Sequence, residues 1–120
     1  MLSLRKGKVV EIERAATGVR GIERIVVEID GANRPAYVDI GMVGGCLAGD
    51  EVVVNTEALD LELGSGGSDV VVANLTRGLE GAGDAARHVM KLNYSPLQHG
   101  VDPVEAEDLT LPIGKPVAIF

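Results

Sequence analysis

The sequence predicts an all-β fold, a small antiparallel barrel with about six to eight short strands and long glycine-rich loops. Apolar residues recur at a period of two along several short segments, which is the period of a β-strand. The chain contains 16 glycines, and turns between strands favour this residue. Aromatic residues make up only 2% of the 120 residues, so the core must consist mainly of Val, Ile, Leu and Ala. These features favour a barrel of SH3-like or OB-like kind.

Two strands begin the predicted barrel, one over residues 8–13 and one over residues 23–30. In the first strand, Val10 and Ile12 are expected to share one face, and Val9 lies on the other. In the second strand every other residue is apolar, as is typical of a strand with one buried and one solvated face. The residues expected to face the core there are Ile25, Val27 and Ile29.

The connections carry residues that turns require. Residues 15–21 contain two glycines and are predicted to form a loop, and residues 30–33 combine Gly with Asp and Asn in a turn. A third strand is predicted over residues 35–40, since proline is tolerated at the first position of a strand. Residues 41–49 then lead into a tight turn before the next strand.

Three further strands are predicted over residues 52–55, 59–63 and 69–75. In the middle one the leucines alternate with acidic residues, so the leucines are expected to point inward. Three consecutive valines in the last one, Val70 to Val72, predict a central strand that is covered on both faces. The glycine-rich residues 64–68 predict a hairpin turn rather than a phosphate loop, because the GxGxxG spacing, a Walker lysine and a following helix are all missing.

The rest of the chain is predicted to be less regular. Residues 77–87 contain three glycines and are expected to form a mobile loop. Residues 88–94 alternate and predict a strand, with a short helix over residues 84–92 as the alternative. The barrel domain is expected to cover residues 1–98. Residues 99–120 form an acidic tail, punctuated by prolines and ending in apolar residues, which is expected to dock on the barrel or on a partner.

Composition limits the classes of function. A net charge of −7 weighs against a nucleic-acid surface, which needs clustered Lys and Arg. No segment approaches the ~20 apolar residues of a membrane-spanning helix, so no membrane contact is expected. The N-terminus lacks the apolar core of a signal peptide, which predicts a cytoplasmic protein. Cys46 is the single cysteine, which excludes an intrachain disulfide, and it is predicted to be a small buried residue beside a turn.

No ligand spacing typical of a metal site or of catalytic acid–base pairs is found, so neither cofactor nor metal is expected and catalysis is disfavoured. Asn55 and Asn74 each end a Val-rich segment and are expected to bond backbone groups at strand ends. The alternative is a small-ligand or enzyme site near Asn55, Asn74, His88 and Lys91, completed by a second chain.

The segments GDEVVVNTEALDLELGSGG, VVANL and HVMKLNYSPLQ resemble the N-terminal region of a bacterial family known only as domain of unknown function 3866. The similarity extends from the LSLRKGKV start to Gln98. The resemblance implies a longer protein with an α/β region after the barrel, and it implies no established catalytic residues. On this basis the chain is expected to be either part of a longer polypeptide or a reduced member that keeps the barrel alone.

The leading hypothesis is therefore a non-catalytic β-barrel that serves as a docking or self-association module. Its expected partners are a further copy, in a homo-oligomer, or a missing α/β domain. OB-type binding of single-stranded nucleic acid ranks last, because that function needs stacking aromatic residues in a basic groove. The aromatic residues of this acidic chain are Tyr37, Tyr94 and Phe120.

Overall fold

A computed structural model describes residues 1–13, 21–81, 90–91 and 94–101 of the chain. The chain divides into two units, Met1–Gly81 and Ala82–Phe120. All strands of the barrel described below lie in the first unit. Within the described residues, no helix is both long and apolar enough to cross a bilayer.

Five strands of the first unit close into a barrel in the order β1-β2-β3-β5-β4. They are β1 (Leu4–Glu13), β2 (Ile22–Ile29), β3 (Ala32–Asp39), β4 (Glu51–Asn55) and β5 (Asp69–Asn74). The predicted small β-barrel is confirmed, but it contains five strands rather than six to eight. It is also mixed rather than purely antiparallel, because β3 and β5 run parallel. The short helix α1 (Ile40–Val43) follows β3, and α2 (Glu57–Asp60) follows β4.

The core is aliphatic, as the composition predicted. Alternate residues of β2 point into the barrel and are buried, which confirms the faces expected for Ile25, Val27 and Ile29. Cys46 is buried as well, in agreement with its predicted role. Among the described residues, the other buried apolar side chains are Val9, Ala36, Val38, Val52, Val54 and Val71.

The faces expected for the first strand are wrong. Val9 is buried in the core, whereas Val10 is 44% exposed. The cause is a β-bulge, since the pairing with β2 shifts register between Val9 and Glu11. An extra residue in one strand reverses the alternation on one side of it, and a simple period-two pattern cannot show this.

The hairpin between β2 and β3 is tighter than the expected turn over residues 30–33. Ile29 pairs directly with Ala32, so only Asp30 and Gly31 form the turn. Both residues have positive φ, 51° and 82°. Asp-Gly with two positive φ values is the turn whose twist matches that of the flanking strands.

The strand predicted over residues 59–63 is wrong. Residues 57–60 form α2, in which Asp60 N–H donates to the Thr56 carbonyl and Leu61 N–H to the Glu57 carbonyl. Leu61 and Leu63 are exposed rather than inward-facing. An alternation over so few residues is too short to distinguish a strand from a helix. In the structure, the local helical hydrogen bonds determine the conformation of this segment. The following glycine-rich residues form a 3₁₀ turn, Ser65–Gly67, that joins α2 to β5, so no hairpin lies there.

The valine-rich strand β5 lies between β3 and β4 in the closed barrel, in which every strand has two neighbours. The expectation that this strand is covered on both faces is wrong, however. Val71 points into the core and is buried, whereas Val70 faces outward and is 46% exposed. A closed barrel has only one interior, so successive valines of β5 alternate between core and surface.

In the second unit, β6 (Met90–Lys91) pairs antiparallel with β7 (Gly100–Val101). Of the strand predicted over residues 88–94, the structure therefore describes this short piece. Residues 82–89, 92–93 and 102–120 lie outside the described residues, and so do most of the predicted mobile loop, the alternative helix and nearly all of the tail. The loop over residues 15–21 lies outside them too, except for Gly21.

Candidate functional site

Asp50, immediately before β4, lies at the centre of a buried polar cluster formed with Cys46, Asn74 and Arg77. Its side chain is 2% exposed. One carboxylate oxygen accepts from Leu47 N–H at 2.9 Å, Asn74 Nδ2 at 2.9 Å and Arg77 Nε at 2.8 Å. The other oxygen accepts from Arg77 Nη2 at 2.6 Å. The carboxylate is therefore held on both oxygens, in the bidentate geometry that guanidinium groups favour.

Asn74 ends β5 and connects this cluster to the following turn. Its Oδ1 accepts from the backbone N–H groups of Thr76 and Arg77, at 2.9 and 3.1 Å. Asn55 acts in the same way at the end of β4, where its Oδ1 accepts from Glu57 N–H at 3.0 Å. The prediction that both asparagines bond backbone at strand ends is confirmed.

The chemistry of the Asp50 cluster is that of a structural anchor. The paired Arg77 guanidinium holds the pKa of Asp50 well below its usual range, despite the opposing effect of burial. Burial raises the pKa of the Cys46 thiol, whose sulfur lies 3.6 Å from Asn74 Nδ2. A carboxylate whose oxygens are occupied and a protonated, buried thiol are poorly suited to proton transfer or nucleophilic attack.

Acid is expected to destabilise the fold partly through Asp50. Because its pKa is lower in the folded state than in the unfolded state, the unfolded chain binds the proton more readily. The stabilisation is complete above the unfolded value of about 3.9 and is lost progressively as the pH falls below it. In urea unfolding at a series of pH values, the wild type should lose more stability below about pH 4 than Asp50→Asn does. Parallel pH curves for the two proteins would contradict this role.

A second buried carboxylate, Asp69, lies at the start of β5. Arg34 of β3 donates to it through Nε at 2.6 Å and Nη2 at 3.0 Å. The same Nη2 donates to Asp60 of α2 at 2.8 Å. The Thr56 hydroxyl and Arg34 lower the pKa of Asp60. Arg34 therefore ties α2 to the barrel strands.

A pocket of about 220 Å³ lies beside α2, and we call it the α2 pocket. Its lining consists of Asn55, Glu57, Ala58, Leu63 and Val70. Asn55 and Val70 are directly paired across β4 and β5, and Leu4 of β1 pairs with Asn55 on its other side. Side chains of paired residues project from the same face of a sheet. Because Val70 is exposed, this face is the outer surface of the barrel.

The four residues predicted as ligand contacts are not all assembled by the described structure. Asn55 pairs with Val70 and Asn74 with Val52, so the two asparagines lie at opposite ends of the β4–β5 ladder. His88 lies outside the described residues. Lys91 belongs to β6 in the second unit. A ligand role for these residues stays a prediction.

In the parts of the chain that the structure describes, no three His, Cys, Asp or Glu side chains are arranged to hold a metal ion. The sequence did not mark Arg34, Arg77 or the pocket residue Val70 as site residues. The partners of the two arginines are distant in sequence, so no local spacing marks them. For Val70, the only signal is its position in a run of three valines, which does not show which of them faces outward.

Comparison with known proteins places the chain in a family. No curated protein and no solved structure gave a match. A family model matches residues 36–112, which is more than half of the chain. The match begins in β3 and extends past Gln98, where the sequence resemblance ended. The chain therefore belongs to the family described as a protein of unknown function, DUF3866.

Proposed function

We propose that this chain is a non-catalytic docking module that binds another polypeptide on the barrel surface around the α2 pocket. The observation that carries the proposal is the exposed apolar surface there. Leu63 is 69% exposed and Val70 46% exposed, and both line the pocket. Leu4, paired next to Asn55, is 45% exposed. Exposed apolar residues that adjoin one another are typical of interaction sites.

The polar groups of the barrel support a non-catalytic role. Asp50 and Asp69 are both buried, and each is held by two hydrogen bonds from one arginine. A general acid or base needs a carboxyl group that can reach substrate and exchange protons. Carboxylates that are buried and paired in this way instead fix the ends of β5. One edge of the pocket is thereby formed by a rigid strand.

The topology supports an OB-like barrel rather than an SH3-like one. Its five strands follow the order β1-β2-β3-β5-β4, and β1 pairs with both β2 and β4 to close it. OB barrels bind their ligands with loops that include the connection between the fourth and fifth strands. In this chain that connection contains α2 and Leu63, which form part of the pocket.

Polypeptide is a better fit to this surface than nucleic acid. The net charge of −7 opposes phosphate binding, and the pocket lining contains neither an aromatic residue nor a Lys or Arg. Burial of aliphatic side chains such as Leu63 and Val70 is most favourable against other aliphatic groups, because both apolar surfaces are then removed from water.

A display selection tests the proposal. Random peptides are selected on the immobilised full chain, and the affinities of the enriched peptides are measured for Val70→Asp and Leu63→Asp. We expect both variants to bind at least about tenfold more weakly, because the new carboxylate would be desolvated beside apolar groups. Both residues are exposed, so urea unfolding should show little loss of stability for either variant.

The matched control is Leu79→Asp, the same exchange at a residue that is 85% exposed and lies beyond the other end of β5. It should bind the selected peptides as the wild type does. Failure to enrich any peptide would overturn the proposal. So would peptides that bind the two pocket variants and the wild type with equal affinity.

A further inference from the structure

The charges left unpaired at the α2 pocket are acidic. Glu57 lines the pocket, and Glu62 directly precedes the lining residue Leu63. Within the described residues, neither carboxylate has an ion pair or a side-chain hydrogen bond. A ligand that enters the pocket therefore meets negative charge that the barrel itself does not neutralise.

The neighbouring basic side chains are already engaged. Arg34 is shared between Asp69 and Asp60. Arg5 lies 3.6 Å from Asp60 and 3.8 Å from Asp30, and Lys6 lies 3.1 Å from Glu51. The nearby cations thus face carboxylates other than Glu57, which leaves the negative character of the pocket intact.

The other residues that line the α2 pocket are suited to two further contacts with a bound peptide. Ala58, Leu63 and Val70 offer an apolar surface that fits an aliphatic side chain. The Asn55 side chain uses its Oδ1 for Glu57 N–H, whereas its Nδ2 has no hydrogen-bond partner among the described residues. An amide N–H group at the edge of an apolar pocket is suited to donating to a backbone carbonyl of a bound peptide.

We infer that the occupant of the α2 pocket is a segment of another protein in which an aliphatic side chain lies next to Lys or Arg. This inference rests on the docking function proposed above and adds the chemistry of the partner. The aliphatic side chain packs against Leu63 and Val70, and the cation faces Glu57. The net charge of −7 attracts such a segment at long range and increases its rate of association.

A second copy of the chain is a poorer occupant. A two-fold dimer through this surface places the same patch of each copy against the other. Glu57 and Glu62 would then meet like charges, while Arg5 and Lys6 remain engaged within their own copies. Like charges that are brought together at an interface oppose association.

Three synthetic probes test the inference on the full chain. They are fluorescein-labelled peptides that differ only in charge: acetyl-SVKVLKVS-amide, its neutral form with Ser in place of Lys, and its acidic form with Glu. Fluorescence anisotropy at low salt should show the basic peptide binding about fivefold more tightly than the neutral one, and the acidic one more weakly still. Glu57→Gln should reduce the preference for the basic over the neutral peptide to about twofold.

Glu80→Gln is the matched control, since Glu80 is exposed, lies beyond the other end of β5 and has no ion pair among the described residues. It should keep the preference for the basic peptide. Equal binding of all three peptides that is still lost in Val70→Asp would overturn the inference and leave the docking function standing. A wild-type dimer that dissociates in Val70→Asp would also overturn it, because a second copy would then occupy the pocket. If none of the three peptides binds, the inference fails, and the display selection described above decides whether the docking function fails with it.

Discussion

Replacing Asp50 by asparagine is expected to destabilise the protein by about 2–4 kcal/mol. The substitution keeps the size of the side chain but removes the charge that Arg77 Nε and Nη2 contact at 2.8 and 2.6 Å. It also places a second amide NH₂ group near donors that need an acceptor, namely Leu47 N–H and Asn74 Nδ2. The Arg77 side chain is 42% exposed and can regain water, which keeps the loss below that of a fully buried ion pair.

Urea unfolding measures this loss, with Asp30→Asn as the control. Asp30 makes a 3.8 Å ion pair with Arg5, and its side chain is 85% exposed. Surface pairs of this kind contribute little, so the control should change the free energy of unfolding by less than about 0.5 kcal/mol. A loss for Asp50→Asn as small as that of the control would mean that the buried cluster does not stabilise the barrel.

The second large effect is expected at Gly7, a buried residue of β1 that lies against β2. A Cβ at this position would overlap with Val27 Cγ1 and lie 2.9 Å from Ile29 Cγ1 and 3.0 Å from the Glu28 carbonyl oxygen. The carbonyl belongs to the β1–β2 ladder and cannot move without breaking the pairing. Gly7→Ala should therefore cost about 1–3 kcal/mol, the range observed when cores are overpacked.

Gly45→Ala is the matched control, because a Cβ there meets nothing within 4 Å and its φ is not in the left-handed region. That substitution should be neutral or slightly stabilising, since alanine restricts the unfolded chain more than glycine does. Equal midpoints of thermal unfolding for the two variants would contradict the close packing of β1 against β2.

The sequence was sufficient to predict the strands whose alternation is uninterrupted. In β2 the aliphatic Ile25, Val27 and Ile29 face inward and alternate with Arg24, Val26 and Glu28, so the faces were predicted correctly. In β1 the bulge between Val9 and Glu11 reverses the pattern, and no local residue marks it. The alternation over residues 59–63 failed for another reason. Helical hydrogen bonds to Thr56 and Glu57 satisfy that backbone locally, and the partner of β4 is supplied by β5.

The candidate site was predictable only where it depends on local chemistry. The strand-end asparagines bond backbone groups two or three residues away, so their role follows from the sequence around them. The arginine–carboxylate pairs depend on tertiary structure instead. Arg34 reaches Asp69 because β3 and β5 lie side by side in parallel, with Ala36 opposite Asp69. A parallel pairing between distant strands cannot be inferred from the spacing of these residues.

The two buried pairs act on opposite ends of the same strand. Arg34 holds Asp69 at the start of β5, and Asp50 holds Asn74 at its end. Val70 lies between them and faces the α2 pocket. The hydrogen bonds of Asp69 and Asn74 thus anchor both ends of the strand that carries Val70. A preformed surface loses less conformational entropy on binding than a flexible one.

Mapping of amide chemical shifts in the full chain, during titration with the basic peptide, tests the docking surface most directly. We expect saturable shifts that are largest at Asn55, Ala58 and Val70, with little change at Asn74 or Arg77. Shifts centred on Asn74 and Arg77, or the absence of saturable shifts at the α2 pocket, would contradict it.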